Sequence, residues 1–497
     1  MLTELPPDIL IHILSQLKPR DIISTCKTLA SVSRQKTIWI KAIDRMCPEE
    51  SLFRPSFPTD ESSISRLEAI SAGPIKWKKL FTRSGVRPRA TPVRGCLFSV
   101  SDVFEDPLEY LFLVPGGRFL VAHNSDVLAV FDLDSPNSME PVLSTKLSGD
   151  PVITCVHPAR DEEKLHVALV SMFVDIDDEP PEPQYFAEIH EISLSTRSEY
   201  AIRKIAGYDF LERSIDDDEI VHLVSMSYDT LAVLCSGIMR VWRFTTDEWN
   251  VFRLDCEPVH GMTLLEEDIL FFHSSSISIY SAWERDTVPR ASAFPSYTGL
   301  GEYNRDQLAC IKPRSERKLA ATDASLDGTM MEGLDSWFTG SRPYTYFERH
   351  TFSDINSQDE DEECDVTIDT YFLEHSDANS DMTTTDAPLR HFLTFTFKNV
   401  FSEYPSTFKP CGGVMYRLVH DRYGLYCQSV IRRSDQTKET YETRIMDPVL
   451  YLSFFNLPHE AFDNLTTFCP ASGKLCCVGM DSETDEADNT IHVLDFF

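Results

Sequence analysis

The sequence predicts a multidomain protein in which a short helical domain precedes a long all-β body. Apolar side chains recur at helical spacing near the start, whereas from about residue 94 short strands alternate with polar turns. The charge changes at the same place. Residues 1–90 contain 15 Lys and Arg against 9 Asp and Glu, so a head of +6 precedes a remainder of −39, for a total of −33. The length of 497 residues also suits several structural units.

The opening stretch, MLTELPPDILIHILSQL, predicts an amphipathic helix. Pro6 and Pro7 suit its first turn, where no backbone N–H is needed. Pro19 ends this helix, and further short helical pieces follow. About 45 residues in short helices cannot bury all of their own apolar side chains. The apolar surface is therefore covered either by the rest of this chain or by another protein. Its main residues are Ile9, Leu10, Ile13, Leu14, Leu17, Ile22, Leu29 and Trp39.

The order of these residues resembles the F-box motif over about residues 3–45. The resemblance is carried by Leu5, Pro6, Ile9, Leu10, Ile13, Leu14, Leu17, Pro19, Asp21, Ile22, Cys26, Leu29 and Trp39. Two positions depart from the family pattern: Asp8 stands where many members have Glu, and Thr25 where Val often precedes the Cys. The resemblance implies that the helical face binds a Skp-type adaptor, which hangs from a cullin scaffold with a RING subunit. The adaptor-binding residues it implies are Leu5, Pro6, Ile9, Leu10, Ile13, Leu14, Leu17, Ile22, Leu29 and Trp39.

The expected organisation is an F-box helical domain at residues 1–47, a linker with connecting helices at 48–93, and a body at 94–497. Strand pairs recur in the body about every 40 residues, which predicts a degenerate β-propeller of about six or seven blades. Trp242 stands where WD-type repeats place a third-strand tryptophan, although the GH and WD pairs are absent. A pair of β-sandwiches is the alternative. The predicted blades lie near residues 108–148, 151–205, 220–256, 258–297, 343–400, 412–446 and 465–497.

The segment RGCLFSV, at residues 94–100, is expected to pair with the final blade. Residues 353–387 read as an acidic insertion without Lys or Arg, which is either a solvated loop or a docking surface for a basic partner. A basic stretch is the candidate substrate-binding site, because its cations could bind an acidic or phosphorylated group. It comprises Lys312, Arg314, Arg317 and Lys318.

The composition excludes several classes of function. The strong negative charge opposes binding to nucleic acid, and no apolar run is long enough for a membrane span. The 13 cysteines show neither CxxC nor zinc-finger spacing, which indicates reduced thiols in a cytoplasmic or nuclear protein. No catalytic or metal motif is recognisable. We therefore expect no cofactor, no metal and no catalytic residue.

The function that the F-box resemblance implies, together with the predicted propeller, is that of a substrate-recognition subunit of an SCF (Skp–cullin–F-box) ubiquitin ligase. The F-box would dock the adaptor and the propeller would bind the target protein. The alternative is a Skp-bound scaffold that acts outside ubiquitin transfer. An enzyme with chemistry in a propeller pocket is a third possibility, which no motif supports. Association with a cullin distinguishes the first two hypotheses.

Overall fold

The structure is a computed structural model, and every structural statement here concerns the residues that it describes. These are residues 5–17, 21–22, 30–82, 92–135, 140–174, 183–194, 200–211, 223–235, 237–254, 259–273, 276–283, 310–319, 329–333, 344–352, 364–374, 389–400, 409–411, 414–421, 424–435, 438–445, 450–451, 465–480 and 487–497.

The N-terminal part is helical. Its elements are α1 (Pro7–Ser15), α2 (Ala30–Ser33), α3 (Lys36–Glu49), a 3-10 turn (Arg54–Ser56), α4 (Ile64–Ser71) and α5 (Gly73–Thr82). Helix α1 packs on α3 through buried apolar side chains. Arg45 of α3 donates hydrogen bonds to the carbonyl oxygens of Gln16, at 2.8 Å, and of Leu17. These bonds satisfy carbonyl groups that the end of α1 leaves without helical partners.

After the helices, the described residues form seven sheets, whose strands pair antiparallel except that β17 runs parallel to β13. In chain order, the first four sheets are β2–β5 (Tyr110–Leu113, Phe119–His123, Val127–Asp132, Leu143–Lys146), β6–β9 (Pro151–Pro158, Lys164–Val174, Pro183–Ser193, Ala201–Leu211), β10–β13 (Leu223–Ser227, Thr230–Cys235, Ile238–Arg243, Glu248–Leu254) with β17 (Cys310–Ile311), and β14–β16 (Gly261–Leu265, Asp268–Phe272, Ser276–Ser281) with β18 (Ser315–Lys318).

The last three sheets are β19–β22 (Thr329–Gly333, Tyr344–Phe352, Cys364–Glu374, Leu389–Val400), β23–β26 (Lys409–Cys411, Val414–Asp421, Gly424–Asp435, Lys438–Ile445) with β27 (Leu450–Tyr451), and β28–β30 (Thr466–Cys469, Lys474–Met480, Ala487–Asp495) with β1 (Arg94–Ser99). Five of these sheets have four strands and two have five, and successive small sheets of this kind are typical of propeller blades. The fold is thus a helical N-terminal domain followed by a degenerate β-propeller with seven such sheets.

The pairing of RGCLFSV with the final blade is confirmed, because β1 lies antiparallel to β30 from Arg94↔Asp495 to Ser99↔Thr490. Two predictions about the body are corrected. The fourth blade does not end near residue 297, because its last strand is β18, at Ser315–Lys318. Residues 353–387 are not one continuous insertion, because Cys364–Glu374 pairs with strands on both sides. The flanking residues 353–363 and 375–387 lie outside the described residues.

The chain divides into two compact units: residues 1–123, 128–144 and 403–497, and residues 124–127 and 145–402. In the second unit the third-strand position of Trp242 is confirmed, since it lies in β12. Its ring stacks on Trp249 at 5.0 Å, and both indole N–H groups donate to Asp247 Oδ1, at 3.1 and 3.0 Å. One carboxylate therefore fixes two large rings at a strand-to-strand turn.

Asn489 fastens the final sheet of the first unit to the loop before β2. Its backbone has a φ of 54°, in the left-handed region. Its Oδ1 accepts from Leu108 N at 3.0 Å, and its Nδ2 donates to the carbonyl oxygens of Asp106 at 3.1 Å and Phe104 at 3.4 Å. The side chain thus satisfies three backbone groups at a position that few residues other than glycine tolerate.

We expect Asn489→Ala to lower the free energy of unfolding by at least about 2 kcal/mol, because it leaves buried groups unpaired in a strained backbone. Asn489→Gly also removes the hydrogen bonds, but glycine adopts a positive φ without strain. It should therefore lower the free energy of unfolding by less than Asn489→Ala does. Urea unfolding of both variants measures this order. Equal stability of Asn489→Ala and the unaltered protein would contradict it.

Candidate functional site

Helix α1 presents two apolar rows that face different surroundings. Leu10 and Leu14 are only 6% and 2% exposed, and they form the inner row. Ile9 is 48% exposed, and Ile13, one turn later, is half-buried. Residues four apart lie on the same face of a helix. The outer row is therefore an apolar strip that the described part of the chain leaves accessible.

The structure divides the predicted adaptor-binding residues into three groups. Leu5, Pro6, Ile9, Ile13 and Leu17 lie on the exposed or half-exposed side. The inner group, which is buried within the chain, comprises Leu10, Leu14, Ile22 and Trp39. Leu29 lies outside the described residues. We name the first group the outer strip, and among the predicted residues that the structure describes it is the group with exposed surface.

Trp39 has a structural role in the helical domain. Its side chain is 2% exposed, and its Nε1 donates to the carbonyl oxygen of Ser33, at 2.8 Å, just before α3 begins. A buried indole whose N–H is satisfied fixes the approach of two helices. The inner group therefore holds the outer strip in place.

The residues just after α3 are packed against the sheets rather than forming an extended linker. Residues 51–53 are buried, and Phe53 N donates to Pro115 O at 2.9 Å. Ser56 Oγ donates to the same carbonyl oxygen at 3.2 Å. A Cβ added to Gly116, whose φ is 113°, would lie 2.4 Å from Ser56 Cβ. The segment predicted as a linker is thus packed tightly against the β2–β3 turn.

Helix α5 forms a second contact with the sheets of the first unit. Trp77, 3% exposed, meets the rings of Phe496 at 5.8 Å, Tyr416 at 6.0 Å and Phe497 at 6.4 Å. Gly73 approaches the β28–β29 turn so closely that an added Cβ would lie 2.0 Å from a carbonyl oxygen, that of Ala471. Aromatic packing and backbone approach together fix this helix on the body.

An ion-pair network completes this attachment. Asp134, after β4, accepts from Arg66 of α4 at 2.7 Å and from Lys474 of β29 at 3.0 Å. Burial raises the pKa of Asp134, but Lys474 and Arg66 outweigh it, so the pKa lies below its ordinary value. The carboxylate therefore stays charged and joins a connecting helix to two sheets.

The sequence of residues 2–41 matches the family model of the F-box domain. This chain carries an F-box domain. The match covers α1, α2 and the start of α3, which are the elements that present the outer strip. F-box domains generally bind Skp-type adaptors, and F-box proteins are generally non-catalytic adaptors. The comparison with curated proteins found no match.

This chain is similar to several solved structures at low sequence identity. The WD40 domain of SCAP from fission yeast is 9% identical with a TM-score of 0.37, and the match covers 78% of this chain and 84% of that one. The Cps50 (Swd1) β-propeller domain of Myceliophteria thermophila is 10% identical with a TM-score of 0.39, covering 81% and 98%. The N-terminal domain of Nup159 is 10% identical with a TM-score of 0.36, covering 82% and 97%.

The predicted basic site lies on and before strand β18. Lys312, Arg314 and Lys318 are exposed, whereas Arg317 is half-buried. Adjacent residues of a strand point to opposite faces, so Arg317 and Lys318 do not share a face. Arg314 is already paired with Asp268 at 3.3 Å. These four residues are close in sequence, but they do not form one convergent cluster.

Two groups of buried charges in the sheets are paired within the chain. Arg118 and Asp132 form a bidentate pair, with a shortest distance of 2.7 Å. Glu188 contacts Lys204 and His190, and although burial raises the pKa of Glu188, these bonds lower it to about 2. Among the described residues, no three His, Cys, Asp or Glu side chains are placed to hold a metal ion. None of the described helices combines the length and apolar character of a membrane span.

Proposed function

We propose that this protein is the substrate-recognition subunit of an SCF ubiquitin ligase. The F-box binds a Skp-type adaptor through the outer strip, and the propeller binds a target protein. The protein supplies no chemistry. It holds the target near a ubiquitin-loaded enzyme and so raises the effective concentration of the acceptor lysines.

The observation that carries the proposal is the exposed outer strip on a domain that matches the F-box model. Solvent-exposed isoleucine on a helix whose inner face is already packed is typical of a protein–protein interface. The packed connection through α4 and α5 supports the proposal further. Because this connection is fixed, an adaptor bound to the F-box has a defined position relative to the sheets of the first unit. A subunit that positions a target for ubiquitin transfer needs such a connection.

Affinity purification of the full-length protein tests the proposal. We expect a Skp-type adaptor, a cullin and a RING subunit to co-purify in comparable amounts, and a bound target to accumulate when this protein is removed. An adaptor that co-purifies without cullin would instead support a scaffold outside ubiquitin transfer. A protein that captures no adaptor would contradict both.

We further expect the target to present a basic or neutral segment, because residues 91–497 carry a charge of −39. Exposed carboxylates stand at turns of two blades of the second unit, for example Glu163 between β6 and β7 of the second blade and Glu266 between β14 and β15 of the fourth. Glu266 lies within electrostatic range of Arg160 on the β6–β7 turn, so the two turns are close to each other.

The double variant Glu163→Gln with Glu266→Gln should weaken target binding about threefold to tenfold and reduce its dependence on salt. The variant Asp102→Asn with Glu105→Gln removes two exposed charges from the other unit and is the matched control. Binding is measured by titration at two ionic strengths. A target bound only when phosphorylated would contradict the charge argument and direct attention to Lys312 and Arg314.

A further inference from the structure

Two buried histidines of the second blade (β6–β9) hold one residue of the third blade (β10–β13). His157 of β6 is 7% exposed and His166 of β7 is 3% exposed, and they lie directly opposite each other in the antiparallel pair of strands. Tyr228 lies in the turn between β10 and β11. Its backbone N–H donates to His157 Nδ1 at 3.0 Å, and its carbonyl oxygen accepts from His166 Nδ1 at 2.6 Å. Imidazoles of one blade therefore satisfy both backbone polar groups of a residue in the next.

These contacts define where each ring carries hydrogen. A carbonyl oxygen only accepts, so His166 Nδ1 carries a hydrogen and donates it. A backbone N–H only donates, so His157 Nδ1 carries none. His157 Nδ1 also lies 3.0 Å from the carbonyl oxygen of Pro158, to which it has no hydrogen to donate in this state. Protonation of His157 would reverse its preference, because the new N–H would donate to Pro158 and the N–H of Tyr228 would lose this acceptor.

The backbone of Tyr228 makes the turn dependent on such contacts. Its φ is 50°, in the left-handed region, which a residue other than glycine adopts only at an energetic cost. The next residue, Asp229, pairs with Arg160 of the β6–β7 turn at 3.1 Å. The guanidinium of Arg160 also lies 5.5 Å from the ring centre of Tyr228. The β10–β11 turn is thus joined to the second blade through two imidazoles and an ion pair.

Burial is the largest influence on the charge of His166. It lowers the pKa of His166 below the ordinary value for histidine. The hydrogen bond to Tyr228 acts in the opposite direction and raises this pKa, as do three carboxylates, those of Glu191, Asp229 and Asp161. Burial outweighs all of them, so the neutral ring is favoured in the folded protein.

The nearer carboxylates already have cationic partners. Glu191 Oε2 lies 3.8 Å from His166 Nε2 but only 3.3 Å from Lys164 Nζ. The other oxygen of Glu191 accepts from Arg203 at 2.5 Å, and Asp229 belongs to the ion pair described above. A charged His166 would therefore share its counter-ions with cations that are already in place. Because the two imidazoles face each other across the strand pair, they would also repel if both were charged.

We propose that the contact between the second and third blades is a pH-sensitive joint, which His157 and His166 hold closed while both are neutral and which loosens when they are protonated. The folded protein binds a proton on His166 less readily than the unfolded chain does. The stabilising contact is thus complete above about pH 6.5, the ordinary value for histidine, and is lost as the pH falls through the lower value of the folded state. The joint belongs to the second unit, and the proposal does not rest on a role in ubiquitin transfer.

Hydrogen–deuterium exchange of the full-length protein, followed by mass spectrometry, tests the joint. The signal is exchange in fragments that contain the N–H of Tyr228, corrected for the intrinsic effect of pH on exchange. We expect its protection to fall at least about tenfold between about pH 7.5 and about pH 5.5. Residues 261–272, in β14 and β15 of the fourth blade, are the internal reference and should keep their protection within about twofold.

The variant that identifies the titrating groups is His157→Asn with His166→Asn. An amide can accept from the N–H of Tyr228 and donate to its carbonyl oxygen, but it does not titrate. The pH dependence of exchange should therefore disappear in this double variant. His273→Asn is the matched control, because His273 is a histidine of the fourth blade that is 2% exposed, and this variant should retain the pH dependence. Circular dichroism and urea unfolding at both pH values establish that the variants fold.

Three results would overturn the proposal. The first is equal protection of Tyr228 at the two pH values in the unaltered protein, a comparison that needs no variant. The second is a pH dependence that persists in the folded double variant, since the neighbouring carboxylates would then be the titrating groups. The third is an equal loss of protection in residues 261–272, which would indicate general acid unfolding rather than a local joint.

Discussion

Replacement of Ile9 and Ile13 by glutamate should abolish binding of a Skp-type adaptor while the protein stays folded. Both side chains belong to the outer strip, so the change places charge in the apolar surface that we propose binds the adaptor. Each truncated anchor of such an interface costs at least about 2 kcal/mol, which is roughly thirtyfold in affinity. The double variant should therefore bind more than about a hundredfold more weakly. Titration of the adaptor against purified protein measures the loss.

The control is His12→Glu, which introduces the same side chain at an exposed polar position of the same helix. It should bind the adaptor within about threefold of the unaltered protein. By contrast, Leu10→Glu would unfold the helical domain, because Leu10 is 6% exposed and packs inside it. If the Ile9 and Ile13 variant retained full affinity, the outer strip would not be the adaptor site.

The difference between Ile9 and Leu10 shows how far the sequence could define this site. The apolar positions of α1 and the Leu, Pro and Trp residues of the motif were predictable, because helical spacing and residue order are local properties. Which of the two apolar rows faces inward depends on packing against α3 and on the position of Arg45. Those contacts come from residues about 30 positions away. The sequence therefore indicated the domain, but it placed Leu10 and Leu14 in one set with Ile9 and Ile13, whereas the structure buries Leu10 and Leu14 inside this chain.

In the body, too, features that depend on local sequence patterns were predictable, whereas features that depend on long-range strand pairing were not. The pairing of β1 with the final sheet was predictable from alternation and position. Strand Ser315–Lys318 was not predicted, because residues 284–309 separate it from the preceding strands of its blade. Strand Cys364–Glu374 was hidden by its charge, since acidic residues alternate there with Val366, Ile368 and other apolar residues. Only the pairing partners on both sides show that this segment belongs to a sheet.

The attachment of the F-box to the propeller was also beyond the sequence, and it leads to the second large prediction. Pro- and Ser-rich residues 48–63 read as a loop, yet their contacts with Pro115 hold the segment in place. Trp77 is the largest side chain in the attachment of α5. Replacing a buried tryptophan by alanine costs about 3–5 kcal/mol. We expect Trp77→Ala to release α5 from the sheets without unfolding the F-box core or the blades.

We expect the Trp77→Ala variant to bind both the adaptor and the target, but no longer to hold the target in position for ubiquitin transfer. In Trp77→Ala the adaptor affinity should stay within about threefold, because the outer strip and the inner group lie outside the altered contact. Limited proteolysis should cut between residues 48 and 93 much faster than in the unaltered protein. Ubiquitin transfer to a bound target should fall by roughly tenfold to a hundredfold, since small displacements of reacting groups have effects of this size.

Two further variants separate loss of attachment from general destabilisation. Gly73→Ala places a Cβ 2.0 Å from the carbonyl oxygen of Ala471 and should produce the same proteolysis and transfer defects without removing a ring. Trp249→Ala removes an equally large ring from the other unit, where Trp249 stacks on Trp242 at 5.0 Å. It should lower stability but leave residues 48–93 protected. If Trp77→Ala and Trp249→Ala gave the same proteolysis pattern, α5 would not be the element that fixes the F-box to the propeller.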